Sequence, residues 1–108
     1  MRVLLDECID EGLRHVFVGH ECQTCRYADL KGLSNSQLLA AAENAGFELL
    51  VTVDQNIQYQ QSLRDRSISL AVLQARTTNL DDLLLLMPEL LRALETVKPG
   101  AVVRIGAP

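Results

Sequence analysis

Short apolar runs rich in β-formers, each followed by a stretch with helical spacing, recur from one end of this sequence to the other. Arg2 to Leu5 reads as a buried strand that ends at Asp6. Ile9, Leu13, Val16 and Phe17 then follow i, i+4, i+7, i+8 spacing, which predicts a helix from Asp10 to Val18 closed by Gly19. His20 to Cys25 is extended by pattern, and Arg26 to Leu33 reads as a loop. Ser34 is a good N-cap for a helix carrying Leu38, Leu39, Ala41, Ala42 and Ala45, which Gly46 ends. Phe47 to Val53 reads as a central strand that delivers Asp54 at its carboxyl end. Ile57 and Leu63 suggest a short helix through Gln58 to Gln61, and Ser67 to Leu73 is a further strand. Thr78 and Asn79 are placed to cap the longest helix, Asn79 to Val97, with Asp81 and Asp82 favourable to its dipole. Pro88 lies inside its leucine stripe and should kink or divide it. Pro99-Gly100 makes a turn before a last strand, Ala101 to Ile105.

That alternation implies an α/β fold, a three-layer α/β/α sandwich around a mostly parallel five-stranded sheet with right-handed crossovers. A chain of 108 residues without repeats or long linkers makes residues 1–108 a single domain. No apolar stretch approaches the roughly 20 residues of a membrane span, and the first apolar run is too short for a secretory signal, so a cytoplasmic location is expected. The formal charge of −4 argues against a broadly basic nucleic-acid binder, but not against an enzyme that holds nucleic acid through a cation and a few arginines.

In parallel sheets, sites form outside the carboxyl ends of the strands, at a switch in strand order. Asp6 and Asp54 each follow a buried strand and so fall on the same edge. Aspartate in that position is also a common cap or turn former; two at one edge favour chemistry. On neighbouring strands, about 4.8 Å apart, their carboxylates can share one Mg²⁺ or Mn²⁺, hard cations that take one or two carboxylates and complete the shell with water and phosphate. Such an ion activates water for phosphodiester hydrolysis. Glu7 adds a neighbouring carboxylate, while Thr52 and Asn56 bracket Asp54 and are candidates to orient it. Arg26, Lys31 and Arg64 are candidate RNA contacts, being in or near loops.

Val3-Leu4-Leu5-Asp6-Glu7, Gly32-Leu33-Ser34-Asn35-Ser36-Gln37-Leu38-Leu39 and Leu50-Val51-Thr52-Val53-Asp54-Gln55-Asn56, taken in order, resemble the small PIN-like proteins over nearly the whole chain. The resemblance implies a PIN-like fold and a metal-dependent ribonuclease, often the toxin encoded beside a small antitoxin protein, with Asp6 and Asp54 as the catalytic, metal-binding pair. The chain departs from that pattern after Ser34, where relatives typically carry an acid and Asn35, Ser36 and Gln37 stand here. It departs again after Asp54, with Asn56. Asn35, Gln37 and Asn56 then serve as neutral ligands or supporting groups, and the alternative is a PIN-like binding module that has lost enough carboxylates to stop cutting.

Cys22 and Cys25 spell C-x-x-C, but residues three apart in a strand point to opposite faces, so structural cysteines are expected. His15 and His20 have no companion at ligand spacing. Tyr27 and Tyr59 are assigned to packing ahead of base stacking, because the chain has only two tyrosines, two phenylalanines and no tryptophan. Leu85 and Leu86 could form a homodimer contact, with core packing the leading reading.

Overall fold

The computed structural model describes residues 1–56, 63 and 66–106. Five strands, β1 (Arg2–Leu5), β2 (Glu21–Thr24), β3 (Leu49–Thr52), β4 (Ser69–Leu73) and β5 (Val102–Ile105), form one sheet in the order β2-β1-β3-β4-β5. Every pairing is parallel. The expected α/β architecture is therefore present, with helices on both faces. The expected helix between Ile57 and Leu63, Tyr59 and Arg64 lie outside the described residues, except that the Leu63 side chain is buried.

Alternate residues of each strand feed opposite layers, as the pleat requires. Val3, Leu5, Leu49, Val51, Ala71 and Leu73 join Ile9, Leu13, Phe17, Leu83, Met87, Leu90 and Leu94 in one core. Leu4, Leu50, Leu70 and Val72 join Leu38, Leu39, Ala42 and Phe47 in the other, beneath α1 (Asn35–Asn44). The central strands β3 and β4 are buried along their whole length, which explains why they read as continuous apolar runs.

Helices differ from their sequence outlines in instructive ways. The first is a 3₁₀ helix, Glu11–Val16, in place of the longer helix expected over Asp10 to Val18. Asp10 Oδ1 accepts the Gly12 N–H at 2.8 Å and Asp10 O accepts the Leu13 N–H at 3.1 Å, a tight i to i+3 start. Gly12 brings that turn close to the opposite helix, since a Cβ there would lie 2.9 Å from Leu80 Cδ2. Ser34 caps α1 as expected, and Gln37 completes a reciprocal capping box by accepting the Ser34 N–H at 3.1 Å.

The long carboxyl-terminal helix is divided into α2 (Leu80–Leu84) and α3 (Met87–Leu94), with Pro88 in the first turn of α3, where its missing N–H costs nothing. Asn79 takes the N-cap position of α2 without using its side chain; Thr77 accepts the Asn79 N–H at 3.1 Å instead. Among the described residues no helix is long and apolar enough to cross a membrane.

Candidate functional site at the switch point

The strand order reverses between β1 and β3, so the crevice at their carboxyl ends is the place where parallel sheets hold ligands. Asp6 follows β1 directly, while Asp54 lies two residues beyond β3, whose ladder stops at Thr52. Thr52 and Asp6 lie two residues beyond Leu50 and Leu4, and so continue toward the α1 layer. The Asp6 backbone is pinned by its N–H to Val51 O at 2.9 Å, and β2 is held alongside by Cys25 N–H to Leu5 O at 3.1 Å.

One hydroxyl organises the centre. Thr52, fully buried, donates to Asp6 Oδ2 at 2.7 Å and accepts the Asp54 N–H at 3.1 Å. The second Asp6 oxygen accepts the Glu7 N–H at 2.8 Å. Asp54 Oδ1 accepts the Asn56 N–H at 3.0 Å, and Asn35, the first residue of α1, donates its amide to Asp54 Oδ2 at 3.4 Å, a long bond. Asp6, Thr52, Asp54 and Asn35 thus form one hydrogen-bonded chain across two strands and a helix start.

Other expected residues fall differently. The Glu7 carboxylate accepts the Gly32 N–H and so fastens the loop after β2 rather than joining that chain. Gln37 is exposed and its carbonyl oxygen is used in the cap. Asn56 serves through its backbone. A cleft of about 300 Å³ beside Asp6 is also lined by Arg26 and Lys31, which brings two of the expected phosphate contacts to this edge. Tyr27 is not packed in the core: it is 78% exposed.

Two residues of the site were missed in the sequence. Gln55 donates to Val53 O at 3.0 Å and to Leu73 O at 2.9 Å, which ties the Asp54 loop to the end of β4. The Cys8 thiol approaches Asp6 Oδ2 and Thr52 Oγ1, each at 3.8 Å. Burial raises the Cys8 pKa; the Val53 backbone pulls against that, and the Asp6 charge adds to it, so the thiol stays protonated as a donor. Only their closeness to Asp6 and Asp54 in the chain hinted at either. Cys22 and Cys25 are free and pack against opposite cores, as their spacing implies.

For cation binding, two partly buried carboxylates with hydrogen-bonded oxygens are a hard-oxygen set that suits an ion keeping most of its water. Asp6 Oδ1 and both Asp54 oxygens each retain a lone-pair direction beyond the bond they accept here, whereas Asp6 Oδ2 already faces both Thr52 and the Cys8 thiol. Among the described residues no group of three or more His, Cys, Asp or Glu that could hold a metal ion converges. Comparison of the chain with protein-family models, curated proteins and solved structures finds no match.

Proposed function

We propose that this chain is a Mg²⁺- or Mn²⁺-dependent endoribonuclease of PIN-like type, acting in the cytoplasm as the toxin of a toxin–antitoxin pair. The observation that carries the reading is the hydrogen-bonded chain of Asp6, Thr52, Asp54 and Asn35 at the switch point, beside a cleft with Arg26 and Lys31. The ordered resemblance of three segments to PIN-like proteins supports the substrate class and the toxin role. Asp6 and Asp54 would hold the ion, which supplies the positive charge and the activated water that phosphodiester hydrolysis requires. Thr52 fixes the Asp6 carboxylate against β3 and keeps the Asp54 backbone in register with it. Asn35 and the Asn56 N–H hold the Asp54 carboxylate from two sides. Arg26 and Lys31 neutralise the phosphates flanking the scissile bond.

A second reading rests on a specific observation: Asn35 stands against Asp54 where an acid would add charge. A chain with this set acts as a binding module that grips RNA or a protein partner without cutting. Mn²⁺-dependent cleavage of a mixed-sequence RNA decides between them. The nuclease reading expects cleavage by wild type, none by Asp6→Asn or Asp54→Asn, and growth arrest on induction that depends on the same two residues. Cleavage that survives both substitutions ends the proposal, and RNA binding without cleavage selects the module.

A further inference from the structure

A second cleft, of about 310 Å³, lies between the 3₁₀ helix and the edge strand β2, and Tyr27 stands in its wall. We propose that this cleft is a nucleobase subsite, which receives one unpaired base of a single-stranded RNA, guanine in preference, next to the phosphate held at the carboxylate edge. The inference rests on the nuclease reading above and names how that site selects its substrate.

Four observations carry it. Glu11 and Thr24 line both clefts, so a polynucleotide leaving Asp6 enters the second cleft directly. Tyr27 is 78% exposed in a chain with few aromatic rings, although a tyrosine ring normally finds apolar cover. The turn that carries it is ordered in its backbone: Thr24 Oγ1 accepts the Tyr27 N–H at 3.1 Å and Thr24 O accepts the Ala28 N–H at 3.0 Å. An exposed ring on an ordered turn beside a cleft is what unstacked bases use as a platform.

The remaining walls suit a base edge and its phosphate. Gln23 offers both a donor and an acceptor, and Arg14 offers a phosphate contact. Glu21 is engaged with Arg2 at 3.4 Å, which leaves Glu11 as the carboxylate for recognition. Two carboxylate oxygens match the paired N–H donors that guanine presents at its Watson–Crick edge, and uracil has no such pair. The free edge of β2 is a conceivable mount for an extended peptide, but the strand has four residues and the cleft beside it has charged and amide walls. These features favour the base.

The test is fluorescence anisotropy with short labelled single-stranded RNAs, in EDTA to exclude cleavage and again with Mn²⁺. Tyr27→Ala should weaken binding about tenfold in EDTA, the range found for lost base stacking, and Tyr27→Phe should bind like wild type. Glu11→Gln should erase a preference for guanine-containing over uracil-only strands. Thermal melts of each variant should match wild type, because both side chains are exposed. Equal RNA affinity for wild type and Tyr27→Ala overturns the subsite, as does an extended peptide that occupies this cleft while RNA does not. Tyr27-dependent binding by a wild type that never cuts keeps the subsite and removes the nuclease; cleavage indifferent to Tyr27→Ala does the reverse.

Discussion

Thr52 does two jobs with one oxygen, and its substitution separates geometry from charge. Thr52→Val keeps the volume but leaves Asp6 Oδ2 only the long Cys8 thiol contact and leaves the Asp54 N–H without its acceptor. Denaturant unfolding should show a loss of about 1–3 kcal/mol, the cost of stranding such groups, and calorimetry should show weaker Mn²⁺ binding although no ligand charge has changed. Unaltered metal affinity would mean that Thr52 is only a core residue. Asn35→Asp tests the opposite property. It adds a carboxylate where an amide now touches Asp54, so Mn²⁺ affinity should rise by about tenfold or more while the metal-free protein becomes less stable through like-charge repulsion. The cysteines give a pH prediction. Burial pushes Cys22 and Cys25 up to about 12 from an ordinary 9.0, so both keep their protons in the folded chain after the unfolded chain has lost them. Their contribution is complete below about pH 9 and falls as pH rises toward 12. The thermal midpoint should therefore decline above pH 9, and Cys22→Ala with Cys25→Ala should flatten that decline, as measured by circular dichroism.

At the scale of elements, the capping box sets the position of Asn35 as well as the start of α1. Ser34→Ala removes the acceptor for the Gln37 N–H and should cost about 1 kcal/mol. If the box also orients Asn35, metal affinity should shift in the same variant. The strands and this helix were legible in the sequence because burial on both faces leaves unbroken apolar runs, and because a cap followed by glycine closure is a local signal. The carboxylates Asp6 and Asp54 were legible at one edge for the same reason: parallel strands all end on the same side. What was not legible depends on contacts distant in sequence. Leu80 packs where a Gly12 side chain would be, and Glu7 is turned away by the Gly32 N–H. The bridging by Thr52 depends on the β1–β3 register, which no local spacing reveals. Tyr27 was misjudged because scarcity of aromatic rings favours burial, and the turn at Thr24 overrides that preference.

For the whole molecule, charge and topology pull in different directions, and their balance can be measured. The chain carries a formal charge of −4, so its average field repels RNA. Arg26 and Lys31 on the carboxylate cleft and Arg14 on the neighbouring one stand among Asp6, Glu7, Glu11 and Glu21 in the same linings, so they offer separate point contacts for phosphate near β1 and β2 and not a basic patch. Between exposed charges, repulsion from the acidic remainder is screened within about 10 Å at 0.1 M salt, whereas a cation against a phosphate releases a counterion at every contact. Each such contact on a single strand contributes about −0.7 to the slope of log affinity against log salt. Two or three contacts therefore predict a shallow slope, between about −1.4 and −2.1, measured by anisotropy above 0.1 M salt. Arg26→Gln and Lys31→Gln should each reduce its magnitude by about 0.7 and weaken all sequences alike, whereas Tyr27→Ala should lower affinity and leave the slope unchanged. A slope much steeper than about −2, or one untouched by the Arg26 and Lys31 substitutions, would mean that RNA lies on another face of the molecule, and the cleft beside Asp6 would lose its claim to the substrate.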